Sequence, residues 1–232
     1  MKIGILQCGH TLPDTRARFG DFPEMFASLL DGHGFTYAAY DVEQMVFPET
    51  VDTCDGWLLT GSRHGAYEDH PFIPPLEQFI RDAYAAAVPM VGICFGHQII
   101  AQALGGHVEK FKAGWSVGLT DYRFESEGNA KLNAWHQDQV IRIPDDAKII
   151  ASSDFCETAA LAYGNRALTI QPHPEFGGDF IEHYASSRKG TLDYPDDRMD
   201  RALARASEPD DNGKIATQIA AFFKQSRTVK HV

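Results

Sequence analysis

PMVGICFGHQII, residues 89–100, decides how this chain is read. Pro89 restarts the chain, and the run to Cys94 is short and apolar, the pattern of a strand buried on both faces. From Gln98 to Leu104 the spacing is helical, and Gly105 and Gly106 stop it. Between strand and helix stands Gly92-Ile93-Cys94-Phe95-Gly96, a cysteine flanked at two residues on either side by glycine. A turn that sharp leaves no room for flanking Cβ atoms, and it pushes the central side chain out at the carboxyl end of the strand. In open α/β sheets that end is where ligands bind. Cys94 also opens a helix, where free N–H groups and the helix dipole favour an anionic sulfur. The N–H of Phe95 is then aimed at a developing oxyanion. A structural cysteine in a tight turn can share the five-residue pattern; the strand before it and the helix after it favour the chemical reading.

A cysteine nucleophile needs a base. The chain has 10 histidines, so one alone means little. His173 is set apart by its surroundings, Gln171-Pro172-His173-Pro174-Glu175, directly after the apolar run LTI at 168–170. The two prolines fix the backbone and stop the strand from continuing. An imidazole there sits at another strand's carboxyl end, and Glu175 can accept from its ring N–H and fix the tautomer.

Working outward, residues 2–8, 36–42 and 56–60 read as further strands, 23–31 and 74–87 as helices. Strand–helix alternation with short apolar strands predicts an α/β fold, a three-layer arrangement whose central sheet is mostly parallel. The second half changes character. Segments 107–112, 118–124, 135–143, 148–153, 158–163 and 167–171 read as short strands, expected to add antiparallel strands to the sheet or its edge. Helices return after Gly177, with 190–213 expected as an exposed loop plus a short helix and Ile215 to Phe223 as a final amphipathic helix. The tail SRTVKHV lacks a core pattern and is expected to fray. The chain is read as one domain, 1–232, with a core over about 1–190 and a C-terminal helical extension over about 191–232.

Composition agrees with a globular chain that has a sizeable core. Of 232 residues, 44% are apolar and 23% charged, and the net charge of −11 argues against nucleic acid or anionic membrane as a partner. No apolar run is long enough to cross a bilayer, and MKIGILQCGHTLPD is too polar for a signal peptide, so a cytoplasmic location is expected. The 4 cysteines lack zinc-site spacing, and no disulfide framework is expected. His136, Gln137, Asp138 and His173 could be offered as metal ligands, but no helical HxxxH or facial-triad spacing supports it, so no metal is assigned. There is no Walker loop; Gly61-Ser62-Arg63-His64-Gly65 follows a strand and suits a second oxyanion donor better than a phosphate.

GICFGHQ at 92–98 and QPHPEF at 171–176 resemble the two catalytic signatures of class I glutamine amidotransferases. LLTGS at 58–62 and WHQDQV at 135–140 resemble two further segments of that family, in the expected order. The resemblance covers roughly residues 1–180. It implies a flavodoxin-like amidotransferase fold, glutamine as substrate class and a γ-glutamyl thioester on Cys94. Residue by residue, Cys94 matches the nucleophile, His173 the base and Glu175 its orienter. Phe95 and Ser62 match the backbone oxyanion donors, serine standing where glycine is usual. Gly61, Gln98, His136, Gln137 and Asp138 match the substrate-binding positions, with Gln137 where glycine is common.

Several segments look closer to stand-alone members, which include GMP synthase-like amidotransferases and the plant γ-glutamyl peptidases. No cofactor is implied. The leaving amine stays open: ammonia delivered to a separate synthetase, or a larger amine released from a γ-glutamyl peptide. A non-catalytic module that kept the fold is the rival from another class; the intact set Cys94, His173 and Glu175 argues against it.

Overall fold

The short apolar runs become the parallel half of a mixed sheet. In the computed structural model, which describes residues 1–126, 128–191 and 194–229, they are β1 (Lys2–Gln7), β2 (Thr36–Asp41), β3 (Gly56–Leu59) and β4 (Met90–Ile93). Every residue of β3 and β4 is buried, as a strand covered on both faces requires. β5 (His107–Lys110), β6 (Ser116–Phe124), β7 (Gly128–His136), β8 (Asp138–Arg142), β9 (Lys148–Ser152), β10 (Ala160–Tyr163) and β11 (Ala167–Ile170) follow. Among the described residues, nine strands form one sheet in the order β2-β1-β3-β4-β11-β10-β9-β6-β7. Pairing is parallel from β2 through β11 and antiparallel beyond it.

Helices cover both faces. They are α1 (Pro13–Phe19), α2 (Phe22–Leu29), α3 (Ile73–Ala85), α4 (Phe95–Ala103), α5 (Gly178–Arg188), α6 (Asp196–Arg205) and α7 (Asn212–Val229). Alternate strand residues feed two cores. Ile3, Ile5, Leu58, Val91 and Ile93 join Phe26, Phe180, Met199, Ile219 and Phe223 on one face. Leu6, Trp57, Leu59 and Met90 join Leu76, Ile80, Ile99 and Ile100 on the other. Helix α3 shows the cause plainly: Ile73, Leu76, Ile80 and Ala83 are buried at helical spacing, and prolines occupy its first turn, where a missing N–H costs nothing. No described helix is long and apolar enough to cross a membrane.

Three expectations need correction. The 135–143 segment is not one strand: β7 begins at Gly128, ends at His136, and the chain turns at Gln137 into β8. The turn is pinned because the Asp138 carbonyl accepts from the Gln98 amide at 3.0 Å and meets His136 Nδ1 at 3.1 Å. Strand β5 pairs only with β8, in a two-stranded sheet of its own rather than on the main sheet's edge. The helix after Cys94 starts at Phe95, not Gln98. Within 190–213 lies the ten-residue α6, whose Met199 and Ala202 are buried. Gly118 of β6, at φ 78°, meets Ala202 there: an added Cβ would lie 2.6 Å from that residue's own. Leu192 and Asp193 of that segment, and residues 230–232 of the tail, lie outside the described residues.

Candidate active site

The elbow is as tight as its glycines suggest. Cys94 has φ 52° and ψ −101°, a conformation that non-glycine residues hold only under constraint. Its N–H donates to the Ile170 carbonyl at 2.9 Å, which ties the turn to β11. A Cβ on Gly92 would stand 2.4 Å from the Gly96 carbonyl oxygen, and one on Gly96 would stand 2.3 Å from the Leu59 carbonyl oxygen. Both glycines are therefore required by close backbone approach. At the start of α4, the N–H groups of Gly96 and Gln98 are committed to the carbonyls of Thr60 and Cys94, at 3.1 Å each. The N–H of Phe95, which opens the helix ahead of both, has no such carbonyl partner among the described residues.

β4 and β11 are neighbours, with Ile93 paired to Ile170, so the residues that follow each strand come together. The ring of His173 lines the same cavity as the Cys94 thiol, and its Nδ1 lies 2.6 Å from Oε1 of Glu175. The Glu175 side chain is fully buried, and its second oxygen has no hydrogen-bond partner among the described residues. Burial disfavours a charged His173 ring, but the charges of Glu175 and Cys94 outweigh it and raise its pKa to about 10. Packing fixes the ring as well: it stacks on Phe176 at 4.0 Å with 2° between planes, and Phe176 stacks on Phe180 at 3.9 Å. The backbone N–H of His173 donates to Asn133 of β7 at 2.8 Å, and the Asn133 amide returns to the Phe176 carbonyl at 2.7 Å.

The other sequence-expected residues converge on the same place. A cavity of about 220 Å³ is lined by Ser62, Cys94, Gln98, His136, Gln137, Asp138 and His173. Gly61 backs the His173 ring: a Cβ there would come 2.9 Å from Cε1 of His173. Ser62 holds its loop by accepting the His64 N–H on Oγ at 3.1 Å. Gln98 serves the scaffold, its amide donating to the Asp138 carbonyl and to Gln171 Oε1 at 3.2 Å. Asp138 hydrogen-bonds Tyr67, and burial raises its carboxyl pKa. Burial, with the charge of His173 beside it, pushes His136 down to about 4; burial with His136 nearby pushes His97 down to about 3.

Sequence reasoning missed two sets of residues. Gln171, within the QPHPEF stretch, places its amide 3.6 Å from Cys94 Sγ. An aromatic wall of Trp115, Trp135, Tyr184 and Tyr194 lines the cavity beyond the thiol, with Trp135 and Tyr184 ring centroids 4.5 Å apart. Tyr194 comes from an acidic stretch whose composition gave no hint of a site.

Comparison with known proteins places these observations. The chain is 28% identical to a glutamine amidotransferase-like protein of Schizosaccharomyces pombe, over 95% of this chain and 98% of that one. It is 28% identical to gamma-glutamyl peptidase 4 of Arabidopsis thaliana, over 75% of this chain and 81% of that one. Its fold superposes with a TM-score of 0.77 on a glutamine amidotransferase from Thermotoga maritima, at 20% identity, covering 97% of this chain and 98% of that one. The model of the family "glutamine amidotransferase class-I" matches residues 37–182, a span that runs from β2 past the elbow to His173 and Glu175. This chain belongs to the class I glutamine amidotransferase family.

Proposed function

We propose that this chain hydrolyses γ-glutamyl amides through a γ-glutamyl thioester on Cys94. The observation that carries the reading is the convergence of Cys94 and His173 on one cavity, with the His173 ring 2.6 Å from the buried Glu175 carboxylate. His173 accepts the thiol proton, and the sulfur attacks the γ-carbonyl carbon. The N–H groups of Phe95 and Ser62 bind the oxyanion, each worth about 3 kcal/mol in comparable sites. The C–N bond then breaks as His173 returns the proton to the leaving nitrogen. Water, deprotonated by the same ring, cleaves the thioester and frees glutamate and the thiol.

The leaving amine in this reading is larger than ammonia. Supporting it are the aromatic wall beyond the thiol and the likeness to a protein named gamma-glutamyl peptidase. Asp138 and Glu68 on the cavity wall suit the substrate's ammonium, and Arg63 and Lys110 suit its carboxylate.

The test pairs a chemical trap with a substrate comparison. A glutamine-mimicking chloroketone should alkylate Cys94, located by peptide mapping, and Cys94→Ser should abolish turnover while leaving the circular dichroism spectrum unchanged. Labelling of Cys8, Cys54 or Cys156 instead would remove the assignment. Rapid turnover of glutamine with none of any γ-glutamyl dipeptide would assign a dedicated ammonia donor serving a separate synthetase.

A further inference from the structure

At the rim of the same cavity, where His10 and His64 join its wall, three parallel strands deliver a second set of chemistry-bearing side chains. Strands β2, β1 and β3 are adjacent, so the residues at their carboxyl ends converge. Asp41 closes β2 and Glu43 follows it; His10 follows β1; His64 follows β3. His10 Nε2 lies 3.1 Å from Asp41 Oδ2 and 3.6 Å from Glu43 Oε2. The other oxygen of Glu43 lies 2.8 Å from His64 Nε2. The ion-pair partners of Asp41 and Glu43 among the described residues are thus histidines, not lysine or arginine.

We infer that His10, Asp41, Glu43 and His64 form a binding site for a divalent transition metal ion of the Zn²⁺ type. Donor atoms around a tetrahedral ion with bonds of about 2.0–2.1 Å stand about 3.3 Å apart; the donor atoms of His10, Asp41 and Glu43 already lie within 4.8 Å of one another, and His64 joins them by turning in from the other oxygen of Glu43. Two imidazole nitrogens and two carboxylates suit a borderline ion and neutralise its double charge. The second layer is already built. His10 Nδ1 lies 2.7 Å from Asp21 Oδ2, the carboxylate–histidine pairing that orients a ligand ring and leaves Nε2 for the metal. Asp21 is itself held as the N-cap of α2, accepting from the N–H groups of Thr11 and Phe22 at 2.8 and 3.0 Å. Glu43 and His64 are 12% and 15% exposed and His10 and Asp41 28% and 30%, so the donors are half-buried and remain open to an ion from solvent. An ion here ties the loops after β1, β2 and β3 together. Because the His64 N–H holds Ser62 Oγ, that tie reaches the loop that carries Ser62.

The site stands on these contacts whether or not the γ-glutamyl reading holds, and its test does not use activity. Cys94→Ser protein, which removes the competing thiol, is stripped with a chelator and titrated with Zn²⁺ by calorimetry and by thermal melting. One equivalent should bind and raise Tm, whereas Mg²⁺, which prefers an all-oxygen octahedron, should do neither. His10→Ala and Asp41→Asn, each checked by circular dichroism, should abolish binding at the same concentrations. Asp21→Asn should weaken it by about tenfold to a hundredfold. His70→Ala should leave it intact, although His64, Glu68 and His70 also bring ligand atoms together. No binding by the folded Cys94→Ser protein, an equal response to Mg²⁺, or loss in His70→Ala with retention in folded His10→Ala or Asp41→Asn would each overturn the assignment.

Discussion

Replacing Glu175 by Gln tests how the buried carboxylate acts. The substitution is isosteric, and the amide oxygen can still accept from His173 Nδ1, which now lies 2.6 Å from the carboxylate. What disappears is a full negative charge against a buried ring. With charge centres about 4 Å apart and an effective dielectric of about 20, that attraction is about 4 kcal/mol, or roughly three pKa units on the imidazole. His173 is raised to about 10 in the intact site, so the imidazolium that must protonate the leaving amine persists into alkaline solution and is lost above that value. Removing the charge moves this loss downward. The alkaline limb of kcat/KM should therefore shift by about two to three pH units toward neutrality. The plateau itself should fall by about a hundredfold to ten-thousandfold, since an amide can also hold the wrong tautomer. The assay is release of the amine from a γ-glutamyl dipeptide, followed from pH 5 to about 11 with both proteins. An alkaline limb at the same pH in both would refute the argument that Glu175 sets the ring's proton affinity.

Three further outcomes follow from the same geometry. Gly96→Ala forces a Cβ against the Leu59 carbonyl oxygen, backbone that cannot yield without moving β3, and should cost about 3 kcal/mol or more in urea unfolding. His97 and His136 stay neutral when folded down to about 3 and 4, whereas an unfolded chain takes up those protons from about 6.5 downward. Stability is thus lost as pH falls through that window, by about 1.4 kcal/mol per unit for each ring. Tm measured from pH 7 to 4 should drop steeply, and His97→Gln, which keeps a partner for Thr169, should flatten the slope. Trp115→Ala or Tyr194→Ala should lower kcat/KM for dipeptides with aromatic leaving amines while glutamine turnover changes little; equal losses on both would remove the aromatic wall from substrate selection.

The parallel half of the fold was legible because each strand there is short, apolar and bounded by glycine or proline, and each helix between carries a one-faced pattern. The elbow was legible for a stronger reason: Gly92 and Gly96 answer to backbone contacts under 2.5 Å, a demand only glycine meets. The second half was harder. Strand β7 includes Lys131 and Asn133 facing partners that no local pattern reveals, so its start at Gly128 passed unnoticed. Its end at His136 depends on Gln98, on a distant helix, gripping the Asp138 carbonyl. The triad candidates could be named from sequence because two short motifs carry them. The aromatic wall could not, since Trp115, Trp135, Tyr184 and Tyr194 come from separate parts of the chain. The cluster of His10, Asp41, Glu43 and His64 was invisible for the same cause: its members meet only through strand order.

That Cys94 and His173 follow adjacent strands has a consequence for biosynthesis. β11 lies between β4 and β10, in the interior of the sheet, although it is the last strand the ribosome delivers. The β10–β11 hairpin must dock against β4 before the thiol has a base, a long-range pairing with its own loop-closure cost. A nascent chain released before this docking holds a cysteine without its proton acceptor. In the proposed reaction the completed sheet then acts as the arming step, and turnover starts only in a molecule that has finished folding.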